Sequence, residues 1–252
     1  MGLFSQSAAD EEYQEIIRPF LKAVQNNDKE GILSLIRYPL RRQYPVPDIN
    51  NSAEMNERYN LIFDEILISK LINTAIETDW SPVGWRGIMF DNGVIWIDYE
   101  GMIIAINYQS QEESLVRESL INQEKEALHV SLKEYVTPIL FCETKNYSIR
   151  IDDMGTDSYR LAFWPHGKLQ SELPELILFD GERNYLGSGG NHFYIFHAEK
   201  YQYVLWVDVL SETDRGSFGA YIDADIRFGY GTDDDYTKNI IMEEEIIYIN
   251  GE

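Results

Sequence analysis

Apolar positions recur at helical spacing up to about residue 73 and at strand spacing over most of the rest of the chain. Over 11–26, Ile16, Ile17, Phe20, Leu21 and Val24 form one stripe. Acidic Asp10, Glu11 and Glu12 precede it, which suits the positive end of a helix dipole. Asp28 is placed to cap a short second helix carrying Ile32, Leu33, Leu35 and Ile36, which Pro39 stops. The stretch 38–44 then reads as a strand ended by Pro45 and Pro47. Tyr59, Ile62, Phe63, Ile66, Leu67 and Leu71 predict a third helix over 52–73 behind a Ser52 cap.

Residues 80–108 carry the clearest strand signal. Asn92-Gly93 supplies a tight turn, so 86–90 pairs with 94–99, and Glu100-Gly101 sends 102–108 back alongside as the third strand of a meander. A two-residue turn sets Gly87 opposite Asp98 and Arg86 opposite Tyr99. That places Trp85, Trp96 and Asp98 on one face and Arg86 on the other. Alternation puts Ile95, Ile97 and Tyr99 with Ile104, Ile106 and Tyr108, and Trp96 and Asp98 with Ile103, Ala105 and Asn107. Both faces are largely apolar and need covering.

Ser110-Gln111-Glu112-Glu113 reads as a capping box, with Ser at the cap and Glu three residues on, opening a polar helix that runs to about Tyr135. Leu115, Ile121, Leu128, Leu132 and Tyr135 give it a single apolar edge, as a connector needs. From Thr137 onward short strand signals recur between turn residues, at 147–151, 159–164, 176–179, 192–197, 203–210, 220–228 and 240–249. Some seven to nine strands at this spacing predict an antiparallel β-sandwich or partly closed barrel. The expected organisation is an α+β protein of two domains: 1–109, a connecting helix over 110–136, and a β-rich domain over 137–252.

The order helix, short helix, strand, long helix and curved meander resembles the cone-shaped α+β fold of the nuclear transport factor 2-like superfamily. The resemblance spans roughly residues 10–109. It is carried by Phe20-Leu21-Lys22-Ala23-Val24, the Asp28-led helix, Tyr38-Pro39-Leu40, the stretch 59–64, and Gly84-Trp85-Arg86-Gly87-Ile88 with the Asn92-Gly93 hairpin. It implies helices packed on a curved antiparallel sheet around a pocket. Tyr59, Asp64, Trp80, Trp85, Arg86, Trp96 and Asp98 are the candidates to face that pocket, and Tyr59, Trp85, Trp96 and Asp98 are the expected ligand-pocket residues. Enzymes of the superfamily place an Asp–His pair, or a Tyr with a protonated Asp, inside the cone. No histidine precedes His129 here, so the Asp–His pair cannot be built from this domain. Asp98 reads either as a carboxylate satisfied by a neighbouring donor or as a ligand contact.

Composition narrows the function classes. A formal net charge of −22, spread over both halves of the chain, repels nucleic acid and anionic lipid and attracts basic partners. No apolar run is long enough to span a bilayer, no leader pattern opens the chain, and the expected localisation is cytoplasmic. The lone Cys142 excludes an internal disulfide and a multi-cysteine metal site. His192 and His197, five apart on one predicted strand, fall on opposite faces and cannot share a metal there. Ser188 in Gly187-Ser188-Gly189-Gly190 has neither nucleophile-elbow nor phosphate-loop spacing. No catalytic residue, cofactor or metal site is expected.

Asp223, Asp225 and Asp233-Asp234-Asp235, with Glu243-Glu244-Glu245, form the densest acidic stretch. It reads as a calcium loop lacking EF-hand spacing, as a solvated loop, or as a docking surface. In the docking reading, Asp223, Asp225, Asp233, Asp234 and Asp235 with exposed Tyr230 and Tyr236 meet a basic protein. An acidic chain without a catalytic motif resembles bacterial immunity proteins, which neutralise a cognate toxin by direct binding. The expected function is therefore a non-catalytic, toxin-inhibiting protein binder. The alternative is an enzyme or small-ligand binder using the N-terminal pocket.

Overall fold

The computed structural model describes residues 3–187, 190–209, 216–222 and 240–251. The chain forms two compact units that divide within one helix, the first ending at Glu118 and the second beginning at Ser119.

In the first unit, α1 (Leu3–Gln25), α2 (Lys29–Ser34), α3 (Ser52–Ile62), α4 (Glu65–Ile72) and α5 (Ile76–Asp79) accompany a four-stranded antiparallel sheet, β1 (Trp80–Pro82), β2 (Ile88–Phe90), β3 (Ile95–Ile97) and β4 (Ile103–Ile106), in chain order. Ile17, Phe20 and Val24 of α1 are buried, as the stripe requires, against Phe63, Trp80, Ile95 and Ile97 in one core. The Phe20 and Trp80 rings meet edge-on with centroids 6.4 Å apart. Asp28 caps α2 through the Gly31 N–H at 2.9 Å.

Three expectations for this unit are corrected. No strand forms over 38–44; Ile36 bridges to Ile103 and Leu40 to Ile49, because the prolines there withhold the N–H groups a ladder needs. The helix expected over 52–73 is two helices. Asn51, not Ser52, caps α3 by accepting from the Glu54 N–H at 3.0 Å, and Asp64 breaks the run by capping α4 through the Leu67 N–H at 2.8 Å. Both caps are carboxyl or amide oxygens, which compete with helical continuation.

The hairpin register holds, with Ile88 opposite Ile97 and Phe90 opposite Ile95, around a turn that spans Asp91 to Val94. β1 adds a strand on its outer side. Between β3 and β4 the register shifts, pairing Trp96 with Ala105 but Ile97 with Ile103. This bulge turns Ile103 into the core beside Ile106, where simple alternation puts Ile104.

Helix α6 (Gln111–Ala127) follows, and it ends well before Tyr135, which comes after a separate 3₁₀ turn over Val130–Leu132. Ser110 caps α6 from the Glu113 N–H at 3.0 Å, the expected half of a capping box. The other half is absent, since the Glu113 carboxylate turns to Arg42, whose Nε donates to it at 2.9 Å, and to Arg58 at 3.5 Å. Arg42 and Glu113 are both buried, and Arg42 also donates to the carbonyls of Ile106 and Tyr108. Leu115, expected on the apolar edge, is exposed.

The second unit is a nine-stranded antiparallel sheet, strongly curled into a half-barrel. Its strands are β5 (Thr137–Glu143), β6 (Tyr147–Gly155), β7 (Ser158–Pro165), β8 (Leu176–Tyr185), β9 (His192–Ala198), β10 (Tyr201–Val207), β11 (Ser217–Ile222), β12 (Ile240–Glu245) and β13 (Tyr248–Gly251). β5 to β11 run as a meander in chain order, β12 lies on the edge beside β11, and β13 on the opposite edge beside β5. Only Ile246-Ile247 separate these two edge strands. The Ile246 N–H donates to Gly216 at 3.0 Å and the Ile247 N–H to Glu143 at 2.8 Å, so the curl brings the two edges within reach of one short connection. Of the two sheet arrangements expected, the partly closed barrel is the one formed; a sandwich needs two separate sheets. β5 is a strand beyond those expected, the strand expected over 240–249 is two, β12 and β13, and β10 ends at Val207; the expected strand over 220–228 continues outside the described residues after Ile222.

Alternation sorts the strands cleanly. Leu140, Cys142, Ile149, Ile151, Leu161, Phe163, Tyr194, Phe196, Leu205 and Phe218 fill the concave side. Gly181 lies so close to the Phe196 ring that a Cβ would come within 2.1 Å of it, so no larger side chain fits there. On the convex side of β6 and β7, Arg150, Asp152 and Arg160 are buried under Leu128, Leu132 and Tyr135. Arg150 Nε donates to Asp152 at 2.8 Å and Arg160 to its other oxygen at 2.6 Å. Arg160 also holds the carbonyls of Leu132 and Glu134, tying the segment after α6 to the sheet.

Candidate binding cleft

The pocket residues expected in the first unit do not converge. Tyr59 is buried in the core, stacked on Phe63 at 5.2 Å with the Lys29 ammonium 4.8 Å above its ring. Trp85 is 68% exposed on a 3₁₀ turn, Gly84–Arg86. Trp96 projects from the face of β3 opposite to the buried Ile95 and Ile97. Because 84–86 is a turn and not strand, the facial separation read from alternation fails there: the Arg86 guanidinium sits 6.0 Å from the Trp96 ring, on the same side. Gly87 makes that turn possible, since a Cβ would meet the Ile97 carbonyl oxygen at 2.3 Å.

Asp98 finds several donors. Its Oδ1 accepts from the N–H groups of Glu100 at 2.9 Å and Met102 at 3.0 Å, and its Oδ2 pairs with Arg37 at 2.7 Å. It builds the turn into β4. Asp64 caps α4 and takes the Tyr108 hydroxyl at 2.8 Å; burial, with the Asp64 carboxylate, pushes Tyr108 up to about 12. Trp80 is part of the core.

Asp223, Asp225, Tyr230, Asp233, Asp234, Asp235 and Tyr236 lie outside the described residues, as does Ser188. The described part of that acidic stretch is β12. There Glu244 holds the β5–β6 hairpin by accepting from the Asn146 N–H at 3.0 Å and from its side-chain amide. Against the opposing effect of burial, hydrogen bonds from Thr144 and Asn146 hold Glu244 below the usual carboxylate range. Glu243 and Glu245, on the other face of the strand, point away from this hairpin.

Glu243 and Glu245 contribute instead to a cleft of about 550 Å³ lined also by Leu186, Asn191, His192, Trp206, Val207, Asp208, Gly216 and Ser217. Register explains its composition. Leu205 and Phe218 oppose each other on the concave side, so Trp206 and Ser217 fall on the convex side, and Ser217 opposes Glu245 while Gly219 opposes Glu243. His192 opposes Val207, which sets Asn191 beside Asp208. The cleft thus runs across the ends of β8 to β12 with the Trp206 indole, the buried His192 imidazole, and carboxylates from β12 and from Asp208 just past β10.

Its walls are held by hydrogen bonds and ring packing. Asn191 accepts from the Leu186 N–H through its carbonyl at 2.7 Å and from the Val209 N–H through Oδ1 at 3.0 Å, joining the β8–β9 and β10–β11 connections. The Ser217 hydroxyl donates to Glu243 at 3.1 Å. Trp206 packs on Phe193 at 4.8 Å, next to the buried convex cluster of Phe193, Ile195, Val204 and Tyr221. His192 is 3% exposed, bonded through Nδ1 to the Gly190 carbonyl at 2.7 Å and edge-on to Tyr194. Exposed Tyr185 and Leu186 stand at the rim.

No group of three or more His, Cys, Asp or Glu side chains among the described residues is arranged to hold a metal ion. No helix among them is long and apolar enough to cross a membrane. Cys142 is buried on the concave side, and burial pushes its thiol well above the ordinary range, away from nucleophilic chemistry. What the cleft offers is electrostatic and stacking recognition of a cation. The period-2 pattern of β10 and β12 held the signal for it, but only the register shows which residues meet. Compared with family models, with curated proteins and with solved structures, the chain matches none of them.

Proposed function

We propose that the protein is a non-catalytic binder of a basic protein, of the kind that bacterial immunity proteins exemplify, and that it neutralises a toxin by occupying it. The observation that carries this reading is the cleft on the half-barrel, where Asp208, Glu243 and Glu245 border Trp206. The net charge of −22 supplies long-range attraction to a basic surface, and the exposed Tyr185 and Leu186 supply contact area at the rim. In the first unit, helices on a small antiparallel meander support a nuclear transport factor 2-like arrangement. Of its expected ligand residues, Tyr59 fills the core, Asp98 closes the turn into β4, and Trp85 is exposed. The small-ligand alternative therefore draws no support from their placement.

The test is co-expression with the toxic product of a neighbouring gene. Growth is restored by the intact chain, and the purified pair associates with an affinity that falls steeply between low and physiological salt. Unchanged toxicity alongside an absence of binding overturns the reading.

A further inference from the structure

We infer that the cleft is an arginine-side-chain receptor, taking one guanidinium of the protein partner between the Trp206 ring and the carboxylates of β12. The inference rests on the binding function proposed above and specifies its chemistry.

The carboxylates come from two separate segments: Asp208 follows β10, while Glu243 and Glu245 stand two apart on the same face of β12. Glu243 and Glu245 lie in line along β12, with Ser217 directly opposite Glu245, and among the described residues no group of three His, Cys, Asp or Glu is close enough to hold a metal ion. A row of acceptors beside an aromatic face suits a flat, forked donor. The guanidinium has five N–H groups in one plane, pairs with carboxylates in bidentate fashion and stacks on indole; an ammonium is a compact, more strongly hydrated point charge that uses neither feature fully. The cleft is also prepared before binding. Asn191 fixes both connections at its rim, and Ser217 orients Glu243. Gly216 runs so close to the Trp206 carbonyl oxygen that a Cβ would come within 1.9 Å of it, keeping the β10–β11 wall tight behind the indole. Preorganisation of this kind lowers the ordering cost of binding.

The experiment titrates the full chain, isotope-labelled, with the peptide acetyl-Gly-Arg-Gly-amide and with its lysine and citrulline counterparts. It follows the five indole N–H resonances, of which Trp206 is assigned by its disappearance in W206F. The arginine peptide shifts the Trp206 indole and the Ser217 amide and binds about tenfold more tightly than the lysine peptide, a preference set by stacking and fork geometry. The citrulline peptide, uncharged, does not compete. The double variant E243Q/E245Q, which keeps shape and removes charge, loses the response while its other indole resonances stay in place. Equal binding of arginine and lysine peptides, shifts centred elsewhere, or no response to the arginine peptide overturns the inference. If the peptides fail while toxin neutralisation and its salt dependence persist, only the arginine assignment falls; if neutralisation fails as well, the functional reading falls with it.

Discussion

Arg42 and Glu113 form a buried ion pair that also satisfies backbone carbonyls, and such pairs are asymmetric in what their loss does. E113A leaves a buried guanidinium without its carboxylate and is expected to destabilise the first unit by about 3–5 kcal/mol, whereas replacing both partners by apolar residues recovers much of that. Urea melts of the single and paired variants read the difference. The convex network of the second unit makes a different statement. Tyr135 lies 5.1 Å from the Arg150 guanidinium and 4.3 Å from the Lys125 ammonium, and burial pushes its hydroxyl up to about 12, with Glu124 and Asp152 adding to the shift and Arg150 opposing it. Because the folded value lies above the unfolded one near 10, the unfolded chain releases its proton first. The stability this residue contributes is whole below about pH 10 and is lost as pH rises toward 12, by roughly 2–3 kcal/mol in all. Y135F flattens that alkaline limb in pH-dependent denaturation.

At the scale of elements, helix starts are decided by which oxygen reaches an orphan N–H. Asn51 does so for α3 and Ser52 does not, so N51A is expected to cost about 1 kcal/mol and S52A only a few tenths, read from the melting of the first unit. The same logic explains why the long helix expected over 52–73 breaks. Asp64 is polar, sits between apolar turns, and gains both a cap and the Tyr108 hydroxyl by ending one helix and starting another. Within the sheet, G181A drives a methyl into the Phe196 ring and is expected to cost about 1–3 kcal/mol, with the concave packing of β8 on β9 loosened and its amides exchanging faster. Only the close approach of the Phe196 ring reveals that glycine as a packing residue; nothing in its sequence neighbours distinguishes it from a turn glycine.

Over the whole molecule, charge and the curl of the sheet carry the proposed function. On the proposed reading, a net charge of −22 makes association with a basic partner fast and salt-sensitive, while the local arrangement at the cleft sets its specificity. E243Q/E245Q changes the net charge by only a small fraction, so it is expected to raise the dissociation rate of a bound basic partner about tenfold or more with little change in the association rate, as stopped-flow and surface-binding measurements separate them. Matching neutral substitutions of two exposed carboxylates of the second unit that do not line the cleft, Glu126 and Glu199, serve as the control.

Residue patterns alone determined the helical first part, the meander register around Asn92-Gly93, the polar helix opened by Ser110, and a second part made of short antiparallel strands. All of these are local, because a 3.6 or 2.0 period, a cap or a turn is written within a few residues. Tertiary structure decided the rest. It fixed the Glu113 pairing with Arg42 across distant parts of the chain, the Ile104 bulge that turns Ile103 inward, and the side of the sheet on which Arg86 lies. It also joined the two edges of the half-barrel through Ile246-Ile247 and brought Glu243 and Glu245 beside Trp206 and Asp208. The reason is physical: strand periodicity says which side chains share a face of one strand, but register between strands and the curl of the sheet decide which of them share a site.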